Sequence, residues 1–350
     1  MIFTDNKLIW KDWQLLNESI GSNYSQIVLL TDVNVKKACL PFFKKNFLHN
    51  IDKVISLPPG EQTKTIQSAE KIWHKLIQIN ADKKSLLICL GGGMITDLGG
   101  FSASLYKRGI DTIYIPTTLL CMTDAAIGGK TGVDLGSLKN MIGVYHFPIR
   151  IFIEPHFLKT LPDTEWTNGY AEIIKHSIIE DAHLWKMLSN KDYLFNHIDD
   201  ATLIRSINIK LGVVSKDPFE SSERKKLNFG HTIGHALESH FLESKTPISH
   251  GYAIAAGIWI ESYLNMKNGI LAEDDFMQIS EIISLHFPKL MIGTENIKEI
   301  VDYVKNDKKN AFGKINIAKI FTIGHSEPVL GVDTNMLIAG LDAYINATSQ

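Results

Sequence analysis

Along its first half the chain alternates short apolar runs with longer amphipathic stretches. Ile27–Thr31 (IVLLT), Val54–Leu57 (VISL), Ser85–Leu90 (SLLICL), Thr112–Ile115 (TIYI) and Arg150–Ile153 (RIFI) are rich in Ile, Val and Leu. They predict short parallel strands buried on both faces. Between two of them, Ile66, Ala69, Ile72, Trp73, Leu76 and Ile77 recur at helical spacing, which predicts an amphipathic helix over 66–80. Strand–helix alternation of this kind predicts an open, Rossmann-like α/β sheet with helices on both faces. The rhythm changes near Leu161–Gly169 (LPDTEWTNG), where turn residues and helix-start signals cluster. From Ala171 onward the pattern is mostly helical, and only Ile315–Ile323 reads as a late strand. The expected division is therefore an α/β dinucleotide-binding domain over 1–163 and a mainly α-helical domain over 164–350.

Length supports that division: 350 residues favour two domains over one large one. An apolar fraction of 45% and a charged fraction of 21% exclude a disordered or collagen-like chain. A net charge of −2 provides no global field for nucleic acid or an anionic membrane, so any anion must be held by a local cluster. Charge-free runs such as Ser19–Thr31 are too short to span a bilayer. The opening MIFTDNKLIW lacks a basic stretch followed by an apolar one, so a cytoplasmic location is expected. Cys39, Cys89 and Cys121 are far apart and read as reduced core residues.

Candidate chemistry begins with Gly91–Gly100 (GGGMITDLGG), which follows the SLLICL run. Glycines there let backbone approach a ligand and leave N–H groups free at a helix start, as pyrophosphate binding requires. The common dinucleotide fingerprint is broken, because Thr96 occupies the position of its last glycine. A tight strand–helix turn therefore stays open as the alternative. Asp97 could bond a ribose, and the Thr117-Thr118 loop would end on the same sheet edge.

In LNFGHTIGHALESH, His231 and His235 lie four residues apart on one helix face, His250 sits in a loop before a later helix, and Glu172 begins the AEIIKH helix. Two imidazoles and a carboxylate make a common metal set with an open position. The alternative is a pair of surface histidines. Glu172, Lys175 and His176 divide the same way, between a ligand facing a cleft and a solvated helix pair, and periodicity does not choose. Lys130, Lys139-Asn140, Arg108, Arg224-Lys225-Lys226 and Lys308-Lys309 supply positive charge. Lys130 and Lys139 stand among glycines and apolar residues, where an unpartnered charge is costly, which points to a phosphate or carboxylate ligand.

Taken together, GGGMITDLGGF, IPTTLLCMTDAAIGGKTGVDLGSLKNMIG, GYAEIIKH, ERKKLNFGHTIGHALES and ISHGYAIAAG resemble the 3-dehydroquinate synthase family in order along nearly the whole chain. The resemblance implies a dehydroquinate synthase-like fold and a homodimer, with an active site in the cleft between an NAD-binding domain and a metal-binding domain. It implies conversion of 3-deoxy-arabino-heptulosonate 7-phosphate to 3-dehydroquinate and phosphate in the shikimate pathway, by transient oxidation, phosphate elimination, re-reduction and aldol closure. It places zinc, or cobalt on the same ligand set, on Glu172, His231 and His250. It places NAD on Asp32, Asn34, Glu61, Lys64, Gly92, Gly93, Asp97, Thr117, Thr118, Lys139, Phe157, Thr160 and Asn168. Substrate contacts fall on Arg108, Asp124, Lys130, Asn140, Lys210, Arg224, Leu227, Asn228, His235 and one of Lys308 and Lys309. The implied catalytic set is His235, Glu220, Lys130, Asn140 and Lys175, with Glu220 as proton acceptor and His235 as general acid/base. Tyr252 stands where a Glu is expected and Asp134 where an Asn is frequent, and neither is expected to touch the triad or the anion cluster. The rival readings are another sugar phosphate cyclase of the inosose or valiolone type, a metal-dependent polyol dehydrogenase, and a non-enzymatic binding protein.

Overall fold

The structure, a computed structural model, describes residues 7–136, 138–190, 198–306 and 315–347. The chain divides into two compact units, Met1–Glu165 and Trp166–Gln350.

The first unit runs β1 (Leu8–Trp10), α1 (Trp13–Ile20), β2 (Ile27–Asp32), α2 (Val33–Ala38), α3 (Leu40–Asn46), β3 (Lys53–Leu57), α4 (Ile66–Gln78), β4 (Leu86–Gly91), α5 (Gly93–Leu105), β5 (Asp111–Pro116), β6 (Lys130–Leu135), β7 (Leu138–Tyr145) and β8 (Arg150–Ile153). Six strands form one sheet in the order β1-β8-β5-β4-β2-β3, and every pairing in it is parallel. Each residue of β2 and β4 is buried, which is why these strands read as unbroken apolar runs. In α4 the hydroxyl of Thr65 accepts the Ser68 N–H at 3.2 Å, and Ala69, Ile72 and Leu76 turn inward. That helix stops at Gln78, short of the expected 80, and Asn80 turns to φ 54°. The sheet order reverses between β2 and β4, which places the loops after β2, β4 and β5 at the switch point where α/β sheets bind ligands. The last two glycines of GGGMITDLGG serve packing: a Cβ at Gly100 would stand 2.0 Å from the Tyr114 hydroxyl and one at Gly99 2.3 Å from Cys89 Sγ. Strand β1 and the antiparallel β6–β7 hairpin are elements the apolar pattern did not predict.

The second unit is built on α6 (Asp163–Glu180), whose first turn precedes the division. It continues with α7 (Ala182–Leu188), α8 (Asp200–Lys216), α9 (His231–Glu243), α10 (His250–Lys267), α11 (Glu273–His286), α12 (Ile297–Asn306), β9 (Ile315–Thr322), β10 (His325–Val332) and α13 (Thr334–Asn346). The late strand expected at Ile315–Ile323 is β9, and it has an unforeseen antiparallel partner in β10. Every residue of α6 from Thr167 to Ile179 is buried. Its last carbonyls are met by the hairpin turn: Gly324 N–H donates to Ile178 O at 2.7 Å and Ser326 Oγ to Ile179 O at 2.8 Å. Helices α9 and α10 touch backbone to backbone, because a Cβ at Gly257 would lie 2.0 Å from the Gly230 carbonyl oxygen. No helix among the described residues is long and apolar enough to cross a membrane.

Candidate active site

In the second unit Glu172, His231 and His250 arrive from α6, α9 and α10 with donor atoms all within 4.8 Å of one another. Glu172 lies near the middle of its helix, not at its start, and His250 is the first residue of α10, not a loop residue. The Glu172 carboxylate is fully buried and its two oxygens face different groups. Oε1 stands 3.4 Å from His231 Nε2 and 3.5 Å from His250 Nε2, while Oε2 meets the ammonium of Lys175. Glu172 and Lys175 are thus a buried ion pair, at 0% and 1% side-chain exposure, and not a solvated one.

Both imidazoles turn Nδ1 toward oxygen. His231 Nδ1 lies 3.1 Å from the Phe229 carbonyl, which can only accept, so Nδ1 carries a proton and Nε2 is the atom turned to Glu172. His250 Nδ1 lies 3.4 Å from Glu238 Oε1. Burial works against charge on His250, but Glu238 and Glu172 outweigh it and hold the imidazole up to about 10. A divalent ion fits this donor set: ligand atoms bound at about 2.0–2.1 Å in a tetrahedron stand about 3.3–3.4 Å apart, close to the two Glu172 spacings. His235, one turn after His231, sits edge-on to it at 5.3 Å between ring centroids, beside the trio and outside it. His176 is fully buried, with Nδ1 on Ser206 Oγ at 2.8 Å, and serves the core.

Arg224, Leu227, Asn228 and Glu220 lie on a segment organised by a residue that sequence reading missed. The Asp217 carboxylate accepts the N–H groups of Ser221 at 2.9 Å, Ser222 at 2.7 Å and Arg224 at 3.1 Å. Burial opposes its charge, but those N–H groups prevail and hold it down to about 2. Within the segment Glu220 adopts φ 58° and its Oε1 accepts from Asn228 Nδ2 at 2.8 Å. Arg224 is buried, with Nη1 on the Pro218 carbonyl. Leu227, and Lys210 on α8, are also buried. Lys226, part of the Arg224-Lys225-Lys226 run of positive charge, is buried between Glu180 and Glu223. Asn168 Oδ1 accepts the Gly251 N–H at 2.8 Å and so fixes the first turn of α10 beside His250. Lys308 and Lys309 lie outside the described residues.

In the first unit the best-defined polar group centres on Lys64. Its buried ammonium donates to Asp97 Oδ2 and to Asn140 Oδ1, each at 2.6 Å, with Glu61 at 3.6 Å. Burial opposes this charge, yet the carboxylates outweigh it and keep Lys64 protonated. Gly92 caps α5 and Gly93 opens it. A Cβ at Gly92 would come within 3.0 Å of the Thr118 methyl. Asp32 caps α2, its Oδ1 accepting from Asn34 and Val35 N–H. Thr117 is buried, Thr118 Oγ1 accepts the Cys121 N–H at 3.2 Å, and Thr160 is exposed. Phe157 is buried edge-on against Phe42. Arg108 is exposed at φ 62° and Asp124 is half-buried.

Several expectations need correction. Lys130 and Lys139 are exposed on the β6–β7 hairpin, so no desolvation cost calls for an anion there. Asp134 does touch a candidate substrate residue, because its Oδ1 accepts the Asn140 N–H at 2.7 Å. That bond crosses the hairpin and supports the φ 54° of Asn140. Tyr252 packs edge-on against Phe287 at 6.1 Å between centroids. Glu238 was legible in principle, since the spacing of His231, His235 and Glu238 puts all three on one face of α9.

Comparison with known proteins agrees along both halves. The profile for the 3-dehydroquinate synthase N-terminal region matches residues 54–168 and that for the C-terminal region matches residues 169–310. A 3-dehydroquinate synthase of Parabacteroides distasonis is 36% identical over 323 residues, 92% of each chain. Among solved structures, 2-epi-5-epi-valiolone synthase of Streptomyces hygroscopicus, with NAD+ and Zn2+ bound, superposes at a TM-score of 0.83 with 23% identity over 98% of each chain. A 2-deoxy-scyllo-inosose synthase complexed with carbaglucose-6-phosphate, NAD+ and Co2+ superposes at 0.82 with 21% identity, over 97% of this chain and 96% of the other.

Proposed function

The chain belongs to the 3-dehydroquinate synthase family, and from that premise we propose that it converts 3-deoxy-arabino-heptulosonate 7-phosphate to 3-dehydroquinate and phosphate, using NAD and one divalent metal ion. The observation that carries the reading is the placement of Glu172 Oε1 at 3.4 and 3.5 Å from two Nε2 atoms whose rings both turn Nδ1 to oxygen. When bound, the ion supplies Lewis acidity toward substrate hydroxyls, and NAD+ supplies a hydride acceptor that is restored within the cycle. Overall the reaction is redox-neutral, with the elements of phosphoric acid lost from the substrate.

This chain's own residues then have distinct tasks. Glu172, His231 and His250 hold the ion, and Lys175 balances the charge of the Glu172 oxygen turned away from the imidazoles. His235 moves a proton at the substrate hydroxyl, the acid–base work that suits an imidazole standing beside the ligand set. Glu220, held by Asn228, is the proton acceptor. In the second unit Arg224, Lys210, Leu227 and Asn228 contact the substrate, the guanidinium meeting an anionic group through paired N–H donors. In the first unit Arg108, Asp124, Lys130 and Asn140 do so. The start of α5 at Gly92-Gly93, with Asp97 and the Thr117-Thr118 loop, takes the cofactor, whose pyrophosphate suits free N–H groups at a helix start. The enzyme acts in the cytoplasm as a homodimer.

The test is phosphate release from the heptulosonate phosphate with matched formation of 3-dehydroquinate, after metal removal and return of Zn2+ or Co2+. Turnover only of sedoheptulose 7-phosphate or glucose 6-phosphate overturns the substrate assignment. Net NADH accumulation with a simple alcohol overturns the reaction class.

A further inference from the structure

His250 is approached from both sides. Its Nε2 stands 3.5 Å from Glu172 Oε1 and its Nδ1 stands 3.4 Å from Glu238 Oε1. Glu238 is 7% exposed, so its charge is not a solvated one placed there by chance. It reaches His250 because α9 carries it on the face of His231 and His235, and because Gly257 lets α9 and α10 meet backbone to backbone. An imidazole that offers its Nε2 lone pair to a cation carries its proton on Nδ1. A carboxylate at Nδ1 selects that tautomer, stops the ring from turning and makes Nε2 the stronger donor. The ring of His231 turns its Nδ1 instead to the neutral Phe229 carbonyl at 3.1 Å.

We propose that Glu238 is a positioning residue of the metal centre, orienting and strengthening His250 as a ligand without itself binding the ion. The carboxylate at this point comes from α9, and Tyr252, where a Glu was expected, is engaged with Phe287 instead. The inference rests on the reading of Glu172, His231 and His250 as the ligand set, and the experiment separates the two.

Zn2+ affinity and stoichiometry are measured by chelator competition on metal-stripped full-length chain, for the parent, Glu238→Gln, Glu238→Asp and His250→Ala. Urea midpoints without metal check that each variant folds. Glu238→Gln keeps the shape and an acceptor oxygen but removes the charge. It is expected to bind one Zn2+ per chain with affinity lowered about 10- to 100-fold, and to shift the visible absorption of the Co2+ form. Glu238→Asp is expected to recover part of the affinity. A structural role alone would move the urea midpoint and leave Zn2+ affinity within twofold of the parent, which overturns the proposal. Two Zn2+ per parent chain, falling to one in Glu238→Gln, would make Glu238 a ligand and also overturn it. Unchanged Zn2+ affinity in His250→Ala overturns the ligand set itself, whatever Glu238 does.

Discussion

Replacing Lys175 by Met removes one half of a fully buried ion pair and retains most of its apolar stem. The two side chains are 1% and 0% exposed, so water cannot take over the ammonium's role. Stripping one partner from a buried pair costs about 3–5 kcal/mol when the remaining charge is stranded, and His250, 3.5 Å from the other Glu172 oxygen, holds the loss toward the lower end of that range. With an m-value of about 3 kcal/mol/M in urea, the unfolding midpoint of the metal-free protein is expected to fall by about 1–1.7 M. The double variant Glu172→Gln, Lys175→Met removes both charges and is expected to regain most of that loss, because a neutral pair carries no stranded carboxylate. Zn2+ is expected to narrow the deficit of the single variant, since the ion returns positive charge to Glu172 and binds only the folded state. Urea titrations followed by tryptophan fluorescence, in chelator and then in excess Zn2+, measure all of this. A midpoint drop below about 0.3 M, or a double variant no better than the single one, refutes the reasoning.

Asp217 makes stability depend on acid pH. Its folded value of about 2 lies below the unfolded 3.8, so its contribution is complete above about pH 4 and is lost as pH falls through 2. Asp217→Asn is expected to be less stable at neutral pH and to show a flatter midpoint between pH 4 and 2, read by thermal melts across that window. In Gly257→Ala the new methyl carbon meets backbone at 2.0 Å, so α9 and α10 must separate. The expected cost is about 3 kcal/mol, the upper end for overpacking, and Zn2+ affinity is expected to fall with it, measured by chelator competition. His235→Asn is expected to lower kcat by about a hundredfold to ten-thousandfold with Zn2+ content unchanged. Full turnover in the metal-bound variant removes His235 from the proton-transfer role.

What could be read in the sequence follows what burial writes into a strand or helix. Strands β2 and β4 are wet on neither face, so IVLLT and SLLICL carry their own signal. Strand β1 is three residues long, and the β6–β7 hairpin mixes glycine, lysine and exposed apolar side chains, so neither has a period to detect. Strand β10 carries Pro328 and Gly331, which usually argue against a strand. The role of Glu172 was undecidable by periodicity for a physical reason: α6 is buried on every side around it, so its polar stripe of Asn168, Glu172, Lys175 and His176 has the same spacing as a solvated face. Histidines four apart on α9 were legible. The partners that orient or balance them, Glu238 and Lys175, depend on contacts that helix spacing reveals only once the neighbouring helix is in place. Lys130 and Lys139 have glycine and apolar neighbours in sequence but are exposed in space, because a two-stranded hairpin leaves one face to solvent.

Helix α6 also constrains the order in which the chain can be completed during synthesis. Its two final carbonyl partners, Gly324 and Ser326, lie far downstream, the latter 147 residues beyond Ile179. At the ribosomal pace of roughly 5–20 residues per second, that interval is about 7–30 s. Throughout it α6, whose Thr167–Ile179 stretch is buried in the finished unit, waits with those two carbonyls unmet and its Ile and Tyr side chains uncovered. The second unit therefore depends on its late hairpin to retire an early aggregation hazard, and a chain truncated before residue 324 would expose that hazard permanently.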